Sequence, residues 1–517
     1  MSPFALISVS DKKNIAAFSK VLVEEFGYKI LSSGGTAKHL IEEKIPVIKV
    51  SEFTNSPEIL EGRVKTLHPK IHGGILAKRS NKIHLKDIKN NNIDLIDLVV
   101  VNLYPFQEKI EANCSWEEAI ENIDIGGPSM IRSAAKNHQD VSILVNHNQY
   151  EEYIEELRKG SLSNSYKIEL ALKAFEHTAS YDAAISNWIV KEKKLESNIH
   201  IQTLPFIRNL RYGENPHQKA NWYGLNSIGW NAAEQLQGKE LSYNNLLDLE
   251  SALSTIQEFD YGQRQNSPKE INAAVILKHN NPCGAALADY PSDAFRKALD
   301  CDSTSAFGGI VAFNNNVDIA TAKLLSDIFL ECVVAPSFDK EALEILNNKK
   351  NLRLLKLNKE SLRTDSKSTF KSILGGILEQ DKDNEIDREN EWSFVTQTKP
   401  NTEEFNDLRF SWKICKHVKS NAIVIAKNQT TIGIGAGQMN RVGAAKIALD
   451  SAKEKANGGV LASDGFFPFS DSVEIASKYG IKSIIQPGGS LRDKESIDMC
   501  NKLGISMIFT NKRHFLH

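Results

Sequence analysis

The stretch Leu95-Ile-Asp-Leu-Val-Val-Val-Asn-Leu103 decides the architecture of the first part of this 517-residue chain. It is apolar almost throughout, as a strand buried on both faces of a parallel sheet is. Upstream, Phe4–Val9 is a second short apolar run. Ser10 and Asp11 then offer N-cap oxygens to a helix with apolar positions Ile15, Phe18, Leu22 and Phe26, and Gly27 suits the residue that ends it. Tyr28–Leu31 reads as a strand, Ser32–Thr36 as a tight loop, Ala37–Lys44 as a helix and Val47–Val50 as a strand. Downstream, Trp116–Ile123 precedes Asp124-Ile-Gly-Gly-Pro128, whose proline fits the first turn of another helix. Val141–Val145 is a further strand, and helical segments from Gln149 to Lys194 close the unit. This alternation predicts a parallel α/β sandwich.

Residues 195–202 are polar and non-periodic, which predicts a linker between a domain at 1–194 and one at 203–517. The second mixes helices such as Leu249–Phe259 with buried strands at Ala273–Leu277, Ile423–Ala426 and Ser483–Ile485, and its length predicts two subdomains. Lys340–Asn390 is the most charged and Asn-rich stretch and reads as surface. No short-period repeat is visible. A formal charge of −2 gives no reason to expect nucleic acid or an anionic membrane as partner, so any anion must be held by a local site. No apolar run reaches the roughly 18 residues of a membrane span. Met1–Lys13 lacks a secretory leader, and the six scattered cysteines form no C-x-x-C pair. Both features predict a cytoplasmic protein with reduced thiols.

Several clusters carry possible chemistry, each with a plainer alternative. Ser32-Ser-Gly-Gly-Thr36 joins a strand to a helix, where free N–H groups hold phosphate, or it is only a turn. Arg63-Val-Lys-Thr-Leu-His-Pro69 concentrates positive charge suited to a nucleotide, or is a solvated basic loop. Asn102-Leu-Tyr-Pro-Phe106 lies at the carboxyl end of the buried strand, where open α/β sheets bind ligands. Asp124 is a candidate acid–base group or an N-cap, and Lys136 a candidate cation or a surface lysine. In the second domain Leu210-Arg-Tyr-Gly-Glu-Asn-Pro-His-Gln218 crowds polar and aromatic groups into a loop. Lys278-His-Asn-Asn-Pro-Cys-Gly284 projects a lysine and a histidine from a strand end, a position suited to acid–base work. A zinc deaminase signature fails here, because Asn281 stands where its Glu belongs and Ala286 where its second Cys belongs. Ser305-Ala-Phe-Gly-Gly309, Ser420-Asn421, Gly433-Ile-Gly-Ala-Gly-Gln438 with Arg441, Ser463-Asp-Gly-Phe-Phe-Pro-Phe-Ser-Asp471 and Thr510-Asn-Lys-Arg513 complete the set.

These clusters, in this order across essentially the whole chain, resemble the bifunctional AICAR transformylase/IMP cyclohydrolase family. The resemblance implies a methylglyoxal-synthase-like α/β sandwich followed by a transformylase of two cytidine-deaminase-like α/β subdomains without a catalytic metal. It implies two reactions: formyl transfer from 10-formyltetrahydrofolate, a co-substrate, to the aminoimidazole ribotide AICAR, then ring closure of formyl-AICAR (FAICAR) to IMP. It also implies a homodimer with shared transformylase sites. Carried over residue by residue, it gives Lys278, His279 and Asn421 as catalytic for formyl transfer, with Arg211, Tyr212, Gly309, Glu331, Arg441, Phe466 and Arg513 binding substrate and Asp471 structural. For ring closure it gives Lys65, Tyr104, Asp124 and Lys136 as catalytic. Ser10, Lys12, Ser33, Gly34, Gly35, Thr36, Arg63, Thr66, Asn102, Gly126 and Gly127 then grip the nucleotide. A regulatory nucleotide-binding module and a methylglyoxal synthase remain alternative readings of the first domain.

Overall fold

The computed structural model describes residues 2–225, 228–262, 271–362, 367–384 and 388–517. It divides into two compact units, Met1–Thr203 and Leu204–His517.

The first unit runs β1 (Phe4–Val9), α1 (Ile15–Glu24), β2 (Lys29–Ser32), α2 (Gly34–Glu42), β3 (Val47–Lys49), α3 (Val50–Thr54), α4 (Pro69–Leu76) and α5 (Lys82–Asn90). It continues with β4 (Leu98–Asn102), α6 (Phe106–Glu111), α7 (Trp116–Glu121), α8 (Gly126–Lys136), β5 (Ser142–Leu144), α9 (Tyr150–Arg158) and α10 (Asn164–Lys193). The five strands are parallel, in the order β3-β2-β1-β4-β5. Central strand β4 is buried along Leu98–Val101, as its unbroken apolar run predicts. Two local expectations are corrected. Asn14, in a left-handed conformation at φ 61°, precedes α1, and Ser10 and Asp11 do not cap it. Helix α2 starts at Gly34, so Ser32–Thr36 is less a loop than a strand running directly into a helix. Gly27 does end α1: at φ 68° its N–H donates to the Val23 carbonyl (3.2 Å) while Tyr28 N–H reaches Leu22 (3.0 Å).

The second unit opens with the separate hairpin β6 (Phe206–Leu210) and β7 (Ala220–Tyr223). Then follow β8 (Glu234–Gln237), α11 (Tyr243–Ile256), β9 (Asn272–Lys278), β10 (Asn281–Ala288), α12 (Pro291–Leu299), α13 (Ser303–Ala306), β11 (Gly309–Phe313), α14 (Ile319–Ser326), β12 (Leu330–Ala335), α15 (Lys340–Leu346) and β13 (Arg353–Lys356). After a second separate hairpin, β14 (Ser368–Ile373) and β15 (Gly376–Asp381), the pattern recurs. It reads β16 (Ser393–Phe394), α16 (Thr402–Cys415), β17 (Ile423–Lys427), β18 (Thr430–Gly435), α17 (Arg441–Ala452), β19 (Val460–Ser463), α18 (Asp471–Lys478), β20 (Ser483–Gln486), α19 (Asp493–Leu503) and β21 (Ser506–Phe509). The two halves join in one 12-stranded sheet, β16-β21-β20-β19-β17-β18-β10-β9-β11-β12-β13-β8, with β10 against β18 at its centre.

Strand alternation builds the core on both faces of this sheet. Ala273, Val275 and Leu277 of β9 pack with residues of α11 and α16, whereas Ala274 and Ile276 face α12. In β17, Val424 and Ala426 join the first cluster and Ile423 and Ile425 pack with α17. Gly284 in β10 and Gly433 in β18 let these outer helices lie close: a Cβ there would stand 2.0 Å from the Ala298 carbonyl oxygen and 2.1 Å from that of Ala448. The expectation that Lys340–Asn390 is surface holds for the exposed hairpin β14–β15 but not for its start. Leu346, Leu354, Leu355 and Leu357 are buried there, because charged residues flank an apolar helix face and strand. Residues 363–366 and 385–387 of that stretch lie outside the described residues.

Glu258 ties the end of the first half to the helix of the second, accepting from Lys416 Nζ and His417 Nε2 at 3.1 Å each. Burial pushes its carboxyl up, but the His417 hydrogen bond and the Lys416 charge outweigh this and hold it at about 2. A carboxyl depressed on folding stabilises above its unfolded value of about 4.3 and loses that contribution as pH falls through its folded value. The denaturation midpoint of the second unit should therefore drop between pH 4.3 and 2 more steeply in the parent than in a Glu258→Gln variant; equal slopes would remove Glu258 from acid stability.

Candidate active sites

In the first unit the sheet order reverses between β1 and β4, and carboxyl ends of neighbouring strands meet at such a switch point. Asn102, ending β4, accepts from the N–H groups of Ser10 (2.6 Å) and Asp11 (3.1 Å) and donates back to the Asp11 carbonyl (2.9 Å). Its amide shapes the loop after β1. Thr36 is committed likewise: its hydroxyl donates to the Val9 carbonyl (2.9 Å) and accepts from the Val9 N–H (3.0 Å). Ser33 is different. It is buried at the N-cap of α2, and its hydroxyl has no hydrogen-bond partner.

Two ammonium groups flank that orphan hydroxyl. A Cβ on Gly34 would lie 3.5 Å from Lys65 Nζ, and one on Gly35 would lie 4.0 Å from Lys12 Nζ. A helix N-terminus, an unused hydroxyl and two cations suit a phosphate. Lys65 also faces Asp124, whose carboxyl burial pushes up while the Gly127 N–H and Lys65 draw it down. Asp124 Oδ1 accepts from Gly127 N–H (2.8 Å), so the carboxylate caps α8 and points into the cluster's charge. A Cβ on Gly126 would press within 2.7 Å of Thr66 Oγ1, and one on Gly127 within 2.5 Å of Asp124 Oδ2. Tyr104 follows β4 directly and is 43% exposed.

Two predicted residues are placed elsewhere. Arg63 makes an exposed ion pair with Glu121 on α7, through Nε (3.2 Å) and a shorter contact from Nη2. Lys136 is exposed in the last turn of α8, at the end opposite Gly126 and about 15 Å along the axis at the usual helical rise. Its side chain does not span that gap.

In the second unit, strand register brings the predicted residues to one end of the sheet. Lys278 pairs with Asn281 across a two-residue turn, and β10 runs antiparallel to β18, which ends at Gly435 opposite Ile423. The same edge carries Gly309 and Leu330 at the starts of β11 and β12, Ser463 ending β19 and Phe509 ending β21. Lys278, His279, Gly309, Glu331, Asn421, Arg441, Phe466 and Arg513 thus share one sheet end. Lys278 Nζ donates to the Phe307 carbonyl at 2.7 Å, and His279 is exposed at the turn. Asn281 joins this turn to the next segment: its Oδ1 accepts from Lys419 N–H (3.0 Å). Asn421 donates from Nδ2 to the Gln438 carbonyl at 2.7 Å. Phe466 is 38% exposed, Arg513 stacks over Phe515 at 4.6 Å, and Glu331 pairs with Arg353 at 2.8 Å. Arg211 and Tyr212 pair with each other, by a hydrogen bond of 3.1 Å and a cation–π contact of 4.7 Å, after β6. That loop is tied to α11 through Asn244 Nδ2 and the Glu214 carbonyl (3.2 Å).

A second aspartate, Asp464, makes more of the local links than Asp471 does. Among the described residues Asp471 accepts from Ser472 N–H (2.7 Å), a local contact at the start of α18. Asp464 is fully buried and makes the central links: an ion pair with buried Arg441, a bond from Ser420 Oγ and one from Ala422 N–H (3.1 Å). It therefore sets both Arg441 and the segment bearing Asn421.

The AICARFT/IMPCHase bienzyme family matches residues 134–451, and an MGS-like domain matches residues 14–129. The chain belongs to the AICARFT/IMPCHase bienzyme family. It is 69% identical over the full length of both chains to the bifunctional purine biosynthesis protein PurH of Prochlorococcus marinus (strain MIT 9515). Against the PurH of Prochlorococcus marinus subsp. pastoris (strain CCMP1986 / NIES-2087 / MED4) the identity is 68%, again over all of both chains. The protein is thus a bifunctional enzyme of purine biosynthesis, an AICAR transformylase joined to an IMP cyclohydrolase. Sequence reasoning missed three groups of this bienzyme. Asp464 lay inside a quoted motif, and its signal was the adjacent small residues Ser463 and Gly465, which leave room for Arg441. Tyr181, whose hydroxyl accepts from Asp124 N–H at 2.8 Å, comes from distant α10, and Asp248 from α11; neither carries a local signal.

Proposed function

We propose that the sheet end bearing Lys278, His279, Asn421 and Arg441 transfers the formyl group from 10-formyltetrahydrofolate to the 5-amine of AICAR. The convergence of these four residues from strands far apart in sequence carries the reading. The amine is a poor nucleophile because its lone pair is delocalised into the ring and carboxamide. His279 takes its proton as the N–C bond forms, Lys278 supports the charge on the formyl oxygen, and tetrahydrofolate leaves with the proton returned to it. Asn421 orients the donor or the substrate, Phe466 and Tyr212 pack against flat rings, and Arg211, Arg441, Arg513, Gly309 and Glu331 line the site.

At the switch point of the first unit, FAICAR closes: the carboxamide nitrogen attacks the formyl carbon and water leaves. The phosphate sits on the Ser33–Thr36 helix start with Lys12 and Lys65 beside it, and Ser10, Thr66, Asn102, Gly126 and Gly127 shape the rest. Asp124, raised by burial, exchanges the proton, while Lys65 and Tyr104 stabilise the developing oxyanion. Arg63, whose charge is balanced by Glu121, is left out of the nucleotide grip. Replacing Lys65 by alanine is expected to lower cyclohydrolase kcat/KM by about 100-fold, and Lys136→Ala by less than about fivefold; equal losses would restore Lys136 to the catalytic set.

The enzyme acts in the cytoplasm, where its six free cysteines stay reduced. It works as a homodimer whose transformylase sites draw on both copies; Phe307 and Phe329, 60% and 46% exposed next to Lys278, support a second copy there. Incubation with AICAR and 10-formyltetrahydrofolate tests the whole reading. Tetrahydrofolate and IMP should both appear; absence of tetrahydrofolate refutes the first site, and FAICAR accumulating without IMP refutes the second.

A further inference from the structure

The turn that carries His279 has a left-handed backbone that histidine and asparagine adopt more readily than other side chains, but at a cost. His279 and Asn280 lie at φ 52° and 61°, as a two-residue hairpin turn requires, yet neither is glycine. A side chain other than asparagine there costs roughly 1–2 kcal/mol unless something holds it. Helix α11 supplies the hold. Asp248 Oδ1 accepts from Asn280 N–H at 2.7 Å, and Ser251 Oγ donates to Asn280 Oδ1 at 3.2 Å.

The second half of the unit contains the same device without the histidine. Asn428 and Gln429, at φ 53° and 52°, turn the hairpin β17–β18, and their N–H groups donate to Asp407 of α16. Asp248 and Asp407 each occupy the sixth position of their helix. Lys427 repeats Lys278: it donates to the Asn457 carbonyl at 2.8 Å, ahead of Gly458, as Lys278 donates to Phe307 ahead of Gly308. The scaffold of lysine, left-handed turn and carboxylate clamp is thus present twice, at opposite ends of the sheet, and only one copy bears an imidazole.

We propose that Asp248 is a positioning residue for formyl transfer, whose carboxylate locks the His279–Asn280 turn and so fixes where the His279 imidazole stands. This rests on His279 as the proton carrier. Burial raises the Asp248 carboxyl, as does Glu331, while the Asn280 N–H, His279 and Lys278 draw it down, which puts both catalytic candidates in its field.

The test uses the full-length enzyme. Asp248→Ala should lower formyl-transfer kcat by about 30-fold with KM for AICAR changed less than about threefold. Asp248→Asn, which keeps an acceptor for Asn280 N–H, should recover to within about threefold of the parent. Asp407→Ala removes the equivalent clamp and should lower the melting temperature comparably while kcat stays within about twofold. FAICAR closure, in the other unit, is the control for intact protein. The proposal is overturned if Asp248→Ala keeps parental kcat, if Asp407→Ala loses as much kcat, or if the Asn and Ala variants are equally impaired. A His279→Ala variant reads the premise separately: if it retains full formyl transfer, the role of His279 falls; if it is inactive while Asp248→Ala is not, only the clamp falls.

Discussion

Replacing His279 by alanine is expected to reduce formyl transfer by a factor of about 10² to 10⁴, the usual contribution of a positioned acid–base group. FAICAR closure should be unchanged, because every residue assigned to it lies in Met1–Thr203. The asymmetry follows from the chemistry. An amine whose lone pair is spread over a carboxamide-bearing ring must lose its proton as it attacks, and no second imidazole sits on this turn. Lys278 is held by the Phe307 carbonyl at 2.7 Å and is placed to meet charge rather than to shuttle a proton. Tetrahydrofolate formation measures the first activity, and conversion of supplied FAICAR to IMP the second. A loss smaller than about tenfold in the first would assign the proton transfer to another group.

The second large effect is structural. Asp464→Ala should destabilise the second unit by about 3–5 kcal/mol, because it strands the Arg441 guanidinium without its counter-charge in the interior. Arg441 is 7% exposed and Asp464 is 0% exposed, so water cannot substitute for either partner. The first half of the unit shows what a neutral residue does at the equivalent place. Asn314, after β11, accepts from Ala273 N–H at 2.8 Å, as Asp464 accepts from Ala422 N–H at 3.1 Å, but pairs with no arginine among the described residues. Asp464→Asn should accordingly keep the backbone bond and still lose much of the stability, and adding Arg441→Met should return most of it. Urea unfolding followed by tryptophan fluorescence reads this, since Trp412 is buried in the second unit. A midpoint unmoved by Asp464→Ala would mean that the pair contributes nothing.

The sequence made some of this visible and hid the rest for identifiable reasons. The apolar run around Leu98–Val101 announced a buried central strand because burial on both faces leaves no polar alternation. Ser33 and Gly34 were read as loop because serine and glycine carry turn signals, whereas here they open α2. Lys65 and Lys12 were legible as cations, but the pairing of Arg63 with Glu121 was not, since it joins segments 58 residues apart. The doubling of the second unit was expected from its length and from the family resemblance, but no repeat was visible in the residues themselves, because the halves agree in register and hydrogen bonding more than in sequence. One trace existed: Ser305-Ala-Phe-Gly-Gly-Ile310 and Lys455-Ala-Asn-Gly-Gly-Val460 both lead into a buried strand. Asp248 and Asp407 were invisible for a simpler reason. An acidic residue inside a helix looks like solvent-facing charge until a turn is folded over it.

The two outermost strands of the large sheet, β8 and β16, have four and two residues, and each runs antiparallel to its neighbour. Edges this short, one of them carrying Glu234, Gln235 and Gln237, offer little ladder for a foreign strand to extend. Copies of the chain therefore gain little backbone pairing by stacking along this sheet. An assembly built along this sheet has to close through side chains on its faces and ends, where shape and charge, not a repeating ladder, choose the partner.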